Sequence, residues 1–507
     1  MIRKIAVIAF VLALTFTLTG VEAMAQGPIE ISVAQGADAV TLDPHGENDQ
    51  PSSRVRSQIY ETLINQDEKL NLEPGLAVSW DQIDETTWEF ELRQGVTFHN
   101  GEEFTAEDVK FTLERLKDPE TAAAGAFIVS FLEEVEVIDE YRVRLKTDKP
   151  FAPMLNHLAH PVTGMLNKEA VEEAGEDYGT LTVTGTGPFK FKSWSTGSEI
   201  ELVKYEDYWG ENAKADTVIF RNIPENTVRA IEVETGGVDI AYNIAPIDEE
   251  RLVEAPEINL IKHDTLSTSY IGFNCQVEPY DNVKVRKAIN YAINKEEIVK
   301  YVYTGQATRS SGPISDNVWG AHTDLDPYYY NQEKAKELLE EAGYSDGFST
   351  TIYTNDNPLR MQIAEMVQSD LKKVGIDVEI QVLEWGTYLE RTGGGDHEMF
   401  ILGWVAVTGD ADYGLYALFH SSQYGHAGNR TFWSDKRVDA YLDTGRQHSD
   451  PEIRMEAYEK SQEIIRDKAP WVFLIHTQEA NATRENVEGF VPHPAGHHDL
   501  SNVTKTQ

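Results

Sequence analysis

The sequence predicts a mixed α/β protein with more than one domain, and three observations support that class. The chain has 507 residues, 41% of them hydrophobic and 10% aromatic, which is enough for two or three packed cores. Between Thr87 and Arg93, three apolar residues alternate with charged ones, as in a half-buried strand. Short strand and helix patterns alternate along the rest of the chain, without an internal repeat or a low-complexity segment.

The segment after this first strand predicts a turn and then a capped helix. Asn100-Gly101 is a turn dipeptide, and Thr105 with Asp108 three residues later forms an N-cap pair. Apolar residues at helical spacing follow, namely Val109, Leu113 and Leu116. The region 74–116 is therefore predicted to be a packed βα unit.

Further elements follow from the same periodicities. In the first half of the chain we expect a helix at 53–63, a hairpin at 132–145, a helix starting at 149–153, and a turn at 185–188 that leads into a strand. In the second half we expect helices at 283–293, 335–342 and 361–374, and strands at 349–353, 378–383 and 399–404. The second half is thus predicted to contain a βαβ-type lobe.

The charge balance excludes two classes of partner. Asp and Glu number 85 against 44 Lys and Arg, which gives a formal net charge of −41. Such a field repels nucleic acid and anionic membranes, so we expect neither as a partner. High salt would screen the self-repulsion of this surface, and we therefore hypothesise a salt-tolerant or halophilic source.

The N-terminus has the pattern of a secretory signal peptide. Arg3 and Lys4 precede an apolar run, and Ala23-Met24-Ala25 is a typical cleavage site. We therefore expect residues 1–25 to be removed and the mature protein to be exported. Cys275 is the only cysteine, so no lipid-anchor cysteine follows the cleavage site and no intrachain disulfide forms.

The motifs of common enzymes are missing from the sequence. It contains no HExxH, no GxSxG and no P-loop, and the turn at 185–188 has no Gly-Lys-Ser/Thr after it. Asp410 and Asp412 have the first spacing of a calcium loop, but the closing Glu is missing. The sequence predicts a binding protein without a cofactor, a metal or a reaction of its own; a secreted hydrolase is the alternative from another class.

Two stretches carry a resemblance to a known family. The first reads GLAxSW at 75–80, and the second reads WxFxLRxGVxFHNGxxFTAEDVxF at 88–111. Both resemble the extracytoplasmic solute-binding receptors of peptide-type ABC importers (family 5). Shorter matches extend the resemblance over essentially the whole mature chain: GTGPF at 185–189, YEDYW at 205–209, YIGFN at 270–274, VKVRKAINYAI at 283–293 and AKELLEEAG at 335–343.

The resemblance implies a fold, a location and a partner. The fold would be that of the periplasmic binding proteins (class II, cluster C), with two mixed α/β lobes around a cleft, a hinge and an inserted small α/β domain. By analogy, the first lobe would comprise 26–70, 185–274 and 476–507, the small domain 71–184 and the second lobe 275–475. The protein would be a periplasmic monomer that closes on its ligand and delivers it to the permease of an importer with a cytoplasmic ATPase.

The expected ligand site is the end of a strand at 403–404 and the loop to Tyr413. Such a loop projects polar groups beyond a rigid edge, among aromatic neighbours. The candidates are Trp404, Thr408, Asp410, Asp412 and Tyr413, with Trp385 and Tyr270 as further aromatic residues. For the aromatic residues core packing is the alternative, and for the two aspartates it is a solvated loop.

The resemblance also bears on the ligand. Dipeptide receptors of the family bind the peptide amine and carboxylate with an Asp and an Arg, where this chain has Val407 and Thr354. The sequence motif GW-x-A-x-TG-[DE]-AD, which this chain has at 403–412, instead resembles the glutathione-binding branch of the family. This implies that Asp410 or Asp412 binds an amine, and that a carboxylate is bound by Arg54, Arg56 or Arg360. The alternatives are an oligopeptide, an opine-like conjugate, a metal chelate or a sugar.

Overall fold

The computed structural model describes residues 27–304, 307–425 and 427–506, so the expected signal peptide lies outside the described residues. The strands of the described part are β1 (Glu30–Gln35), β2 (Ile64–Gln66), β3 (Leu72–Pro74), β4 (Ala77–Asp84), β5 (Thr87–Leu92), β6 (Leu132–Asp139), β7 (Arg142–Thr147), β8 (Phe189–Ser195), β9 (Glu199–Lys204), β10 (Thr217–Asn222), β11 (Ile240–Ala241), β12 (Ile258–Phe273), β13 (Ala307–Arg309), β14 (Phe348–Asn355), β15 (Ile376–Leu383), β16 (Met399–Val405), β17 (Trp471–Arg484), β18 (Val487–Glu488) and β19 (Thr504–Lys505).

The α-helices of the described part are α1 (Gln50–Ile59), α2 (Ala106–Lys117), α3 (Met154–Leu158), α4 (Lys168–Ala174), α5 (Asn226–Thr235), α6 (Pro246–Glu254), α7 (Val283–Ala292), α8 (Lys295–Tyr301), α9 (Gln332–Glu341), α10 (Pro358–Lys372), α11 (Trp385–Gly394), α12 (Ala411–Phe419), α13 (Lys436–Gln447) and α14 (Pro451–Lys468). None of them is both long and apolar enough to cross a membrane. Strands and helices alternate along the chain, which confirms the predicted mixed α/β class.

One large sheet organises the molecule. Its strands follow the order β15-β14-β16-β12-β17-β11-β1-β10-β9-β8, and β13 adds to β17. The long strands β12 and β17 lie at its centre and pair antiparallel, with register irregularities between Asp264 and Thr268 and between Ser269 and Tyr270. They connect the strands of the second half of the chain on one side with those of the first half on the other. The ligand cleft described below lies beside this central pair.

A separate four-stranded antiparallel sheet has the order β4-β5-β7-β6. Phe90 and Leu92 of β5 are buried, as the alternation predicted, and they share a core with Val109 of α2. The Thr105 N–H donates to Asp108 Oδ2 at 3.0 Å, so the predicted cap of α2 is confirmed. This sheet and its helix belong to the region expected to form the small domain.

The predicted βαβ unit of the second half is confirmed as β14, α10 and β15, with the two strands parallel. Its core contains Ile352, Ile363 and Val378. The predicted domain boundaries near residues 71, 185, 275 and 476 stay a prediction.

Four predicted helices begin elsewhere, for local reasons. Helices α9 and α10 begin three residues earlier than expected, because Asn331 and Asn357 cap them. Helix α1 begins three residues earlier than expected, because Asp49 caps it and Pro51 occupies its first turn. The helix expected at 149–153 begins only at Met154, because Pro150 and Pro153 disfavour helical backbone in the residues before them.

Candidate ligand-binding cleft

A cavity of about 300 Å³ opens beside the central strands β12 and β17. Its walls come from both halves of the chain: α1, the start of α5 and the segment 494–496 on one side, and β16, the start of α10 and Trp385 on the other. The volume is at the small end of the range for small-molecule sites. Six charged side chains line it, namely Arg54, Arg229, Lys262, Arg360, Glu249 and Glu479.

Arg54 is held in one wall by three polar partners. It lies on α1, is only 5% exposed, and donates from Nε to Gly496 O at 2.9 Å. Its Nη1 donates to Asn243 Oδ1 at 2.9 Å, and its Nη2 lies 3.3 Å from Glu479 Oε1. The guanidinium is therefore oriented before a ligand arrives, which reduces the entropic cost of binding.

Glu479 is an anion at neutral pH despite its burial. Desolvation alone would raise the pKa of this carboxyl group, but the charge of Arg54 and the nearby His498 ring outweigh it and lower the pKa to about 2. Only Oε1 accepts a hydrogen bond from the described residues. Oε2 remains available as an acceptor for a ligand.

Arg360 lies in the opposite wall, and part of its guanidinium group is free to bind a ligand. The Asn357 side chain caps α10 and accepts from the Arg360 N–H, which fixes the backbone at this position. The guanidinium donates from Nη1 to Asn355 Oδ1 at 2.9 Å and lies 5.4 Å from the centre of the Trp385 ring. No carboxylate of the described residues lies within ion-pair distance of Arg360. Its charge is therefore without an anionic partner in the described part of the chain.

Two hydrogen bonds join the two halves of the chain near the cleft. Trp385 Nε1 donates to Asp49 Oδ2 at 3.2 Å, and Asn48 Nδ2 donates to the Tyr413 hydroxyl at 2.9 Å. Asp49 and Asn48 precede α1, whereas Trp385 and Tyr413 belong to the second half of the chain. The structure thus shows the two halves in contact.

The cleft is positively charged inside a strongly acidic protein. Four cationic side chains and two carboxylates line it, which leaves a net charge of +2, against −41 for the whole chain. Arg54 pairs with Glu479, and Lys262 pairs with Glu249. Among the described residues, Arg229 donates only to backbone carbonyl groups, including Tyr242 O and Ile223 O. The uncompensated charge lies on Arg229 and Arg360, so the arrangement favours an anionic ligand.

Comparison with known proteins decides the family. The sequence model of the bacterial extracellular solute-binding proteins, family 5 (middle part), matches residues 71–426. The chain belongs to this family. The chain is 33% identical to the glutathione-binding protein GsiB of Salmonella typhimurium over 470 residues, which cover 91% of each protein.

Two solved structures share the fold of this family 5 protein. One is the ABC transporter-associated periplasmic binding protein DppA from Helicobacter pylori in complex with the peptide STSA: TM-score 0.89, 33% identity, and coverage of 95% of this chain and 99% of that one. The other is the oligopeptide-binding protein AppA from Bacillus subtilis in complex with a nonapeptide: TM-score 0.89, 27% identity, and coverage of 95% and 100%. The predicted periplasmic binding protein fold is thereby confirmed.

Among the residues expected to form the site of this solute-binding protein, Arg54, Arg360 and Trp385 line the cleft together. Asp410 and Asp412 do not line it. Asp410 is 5% exposed and accepts from Arg454 Nη2 at 2.9 and 2.7 Å. Asp412 is fully buried, accepts from Arg446 Nε and Nη2 at 3.1 and 2.9 Å, and lies 3.0 Å from His157 Nε2.

The electrostatic environment of the two aspartates differs. Burial raises the pKa of Asp410, although Arg454 opposes the effect. Burial also acts to raise the pKa of Asp412, but Arg446 and His157 outweigh it and hold that pKa well below its usual range. We refer to Asp410, Asp412, Arg446, Arg454 and His157 as the buried carboxylate cluster. Both carboxylates already have cationic partners there.

The remaining expected residues pack outside the cleft. Tyr270 stacks on Trp471 with ring centres 3.4 Å apart, and Tyr413 contacts Trp404 at 5.0 Å. Thr408 is buried, and its carbonyl oxygen accepts from Asn156 Nδ2 at 3.0 Å. Arg56 is fully buried and donates to the carbonyl groups of residues 43 and 47. For Tyr270 the structure shows the core packing that was the alternative.

Sequence reasoning missed Glu479, Asn243 and the Lys262–Glu249 pair. Glu479 carried only a weak signal in the sequence, because it follows the apolar run 471–475 among other polar residues of the segment that forms β17. A charge in the middle of a buried strand requires a partner or a function. Asn243 lies in a loop after the two-residue strand β11, and the sequence carried no signal for it.

Proposed function

We propose that this protein is the substrate-binding receptor of an ABC importer and that it captures a short acidic peptide, with glutathione as the ligand. The observation that carries the proposal is the net positive cleft, in which Arg360 has no carboxylate partner among the described residues. Glutathione has two carboxylates and one amine, so its charge complements such a cleft. The name of the relative GsiB supports the same ligand.

In this proposal each wall recognises a different end of the peptide. Arg360 binds one carboxylate, bidentately through the guanidinium edge that Asn355 leaves free. Glu479 Oε2 accepts from the ammonium group, and Arg54 keeps Glu479 ionised and oriented. The second carboxylate lies in the positive field of Arg54 and Arg229. Asp410 and Asp412, expected from the resemblance to bind the amine, are already paired in the buried carboxylate cluster.

The positions that bind a free dipeptide in other family members support this ligand rather than a dipeptide. Thr354 and Val407 occupy those positions here, and they are 0% and 9% exposed. Neither side chain carries a charge, so neither neutralises a peptide terminus, and an unpaired buried charge is costly. The modest cleft volume of about 300 Å³ further favours a ligand shorter than a nonapeptide.

Closure is the second part of the proposal. Trp385 and Asp49 connect the two walls, so a ligand held between Arg360 and Glu479 stabilises the state in which they meet. The closed receptor would deliver its ligand in the periplasm to the membrane permease, which works with a cytoplasmic ATPase. We propose that the receptor acts as a monomer and catalyses no reaction.

Titration calorimetry on residues 26–507 tests the ligand. The protein is unfolded and refolded first, so that retained ligand is removed, and then titrated with glutathione, a neutral dipeptide and a neutral nonapeptide. We expect one-to-one binding of glutathione at micromolar affinity or better, about −8 kcal/mol. Binding of the dipeptide or the nonapeptide with silence for glutathione would refute the ligand while keeping the receptor class.

A further inference from the structure

A second compartment of about 350 Å³ lies where strands β12, β13 and β17 meet. It shares Thr477 and Gln478 with the wall of the ligand cleft. The irregularity of the β12–β17 pairing, between Asp264 and Thr268, makes room for it, because the strands lose their continuous register there. The proposed function assigns nothing to this compartment.

The amide side chains of the compartment leave hydrogen-bond acceptors unused. Gln478 Nε2 donates to Asp264 Oδ1 at 2.8 Å, and Asn317 Nδ2 donates to the Thr265 carbonyl oxygen at 3.1 Å. Ser315 Oγ donates to the same carbonyl oxygen at 3.1 Å. The oxygen atoms of the two amides accept no hydrogen bond from the described residues. The two amide oxygens are thus free acceptors for a ligand, while each amide nitrogen keeps a second N–H.

His476 adds an independent observation. Its side chain lines the compartment and is 9% exposed, and its Nε2 atom has no hydrogen-bond partner among the described residues. Its Nδ1 atom lies 3.6 Å from Asp316 Oδ1, which is too long for a hydrogen bond. A buried ring nitrogen without a partner costs free energy unless a ligand satisfies it.

The charge of the compartment is of one sign. Asp264 and Asp316 line it, and no Lys or Arg does. We propose that this compartment binds a small organic cation, namely an alkyl ammonium or guanidinium group, through Asp264, Asp316 and His476. Such a group carries only donors, and the carboxylate oxygens and free amide oxygens of the wall can accept them.

A metal ion fits the compartment less well than an organic cation. Calcium requires six to eight oxygen ligands at roughly 2.3–2.6 Å. Within the described ranges no three His, Cys, Asp or Glu side chains stand close enough to hold one ion. The volume of about 350 Å³ instead suits a cation with a carbon chain.

The test is calorimetry on residues 26–507 in about 0.15 M NaCl, where non-specific attraction to the acidic surface is screened. The probes are 1,4-diaminobutane, N-acetyl-lysine amide, uncharged 1,4-butanediol, MgCl₂ and CaCl₂. We expect one-to-one binding of an ammonium compound and none of the diol. If 1,4-diaminobutane binds more tightly than N-acetyl-lysine amide, the cation is a free amine. If N-acetyl-lysine amide binds more tightly, the cation is a peptide side chain.

Variants distinguish a site from general counter-ion attraction. Asp316→Asn and Asp264→Asn should each weaken ammonium binding at least fivefold. Asp81→Asn removes the same unit of charge from an exposed position on β4 and should leave it unchanged. Equal effects of all three variants, binding of the divalent metals alone, or no binding of either ammonium compound would overturn the proposal. None of these outcomes depends on whether glutathione binds the cleft.

Discussion

The ligand cleft and the buried carboxylate cluster are built from the same residue types but satisfy them to different degrees. In the cluster, Asp412 receives two hydrogen bonds from Arg446, and Asp410 receives two from Arg454. In the cleft, Arg360 has one amide partner and no carboxylate among the described residues, and one oxygen of Glu479 accepts no hydrogen bond from them. A candidate ligand site is therefore distinguished from a structural contact by hydrogen-bonding and ion-pairing groups that lack a protein partner, rather than by the presence of charge.

The difference has an energetic reason. Charges removed from water must be paired, and the cluster pairs its charges within the protein. Asp410 and Asp412 lie at the start of α12 and join it to α13 and α14 through Arg446 and Arg454, while His157 reaches the cluster from α3. In the proposed function, the ligand supplies the missing partners of Arg360 and Glu479. A ligand that contacts both walls in this way stabilises the closed cleft.

The largest expected effect is on stability, from Asp412→Ala. This variant leaves Arg446 and His157 buried beside a lost carboxylate, so the free energy of unfolding should fall by about 3–5 kcal/mol. Urea denaturation measures it. Asp139→Ala is the control; it removes an exposed ion pair with Arg142 and a hydrogen bond from the Tyr141 N–H, and it should cost far less. Loss of ligand binding with unchanged stability would instead give Asp412 the ligand role that the sequence suggested.

Arg360→Gln should weaken ligand binding and leave the stability of the protein nearly unchanged. Removal of a charge-assisted hydrogen bond to a ligand carboxylate costs about 1.5–3 kcal/mol, which is roughly a tenfold to hundredfold loss of glutathione affinity. Stability should change little, because no ion pair within the described residues is lost. Calorimetry and urea denaturation on the same variant separate the two effects. Arg360→Lys should be intermediate, because it keeps the charge but loses bidentate geometry; full affinity in Arg360→Gln would contradict the assignment.

A smaller effect is expected from Trp385→Phe. The variant keeps an aromatic ring near Arg360 but removes the hydrogen bond to Asp49 across the cleft. The loss of about 0.5–1.5 kcal/mol should weaken ligand affinity twofold to about tenfold. Stopped-flow measurement should place the change in the dissociation rate, because the contact exists only when the walls meet. An unchanged dissociation rate would show that this hydrogen bond does not hold the cleft closed.

The smallest effect is expected from pH. Glu479 has its pKa lowered to about 2, against roughly 4.3 in an unfolded chain. Its contribution to stability is therefore complete above about pH 5 and is lost as the pH falls toward 2. Glutathione affinity should stay constant within about threefold between pH 5.5 and 7.5, measured by calorimetry. A steep fall in affinity across this window would mean that a different group binds the amine.

The sequence predicted best what is local. The alternation of Trp88, Phe90 and Leu92, and the cap formed by Thr105 and Asp108, involve residues within a few positions of each other. Both are confirmed, because strand periodicity and helix capping are short-range effects. The order of the strands in the large sheet was beyond such reasoning, since β1 pairs with β10 across nearly two hundred residues.

The site could be predicted only in part, for the same reason. The partners of Asp412 and Asp410 lie 34 and 44 residues further along the chain, so their pairing left no local pattern. Glu479 meets Arg54 across 425 residues. Arg54 and Arg360 entered through the family resemblance, and Trp385 entered as an aromatic candidate for a binding cleft; the structure shows that all three line one cleft.

Charge selectivity at constant ligand size tests the central claim most directly. Calorimetry on residues 26–507 would compare glutathione with its diamide, in which both carboxylates are replaced by uncharged carboxamides of nearly the same size while the backbone and the amine are kept. We predict that the diamide binds at least a hundredfold more weakly, because it leaves Arg360 and the positive field of the cleft without a counter-charge. Equal affinity of the two compounds would contradict the claim that the positive cleft selects the ligand.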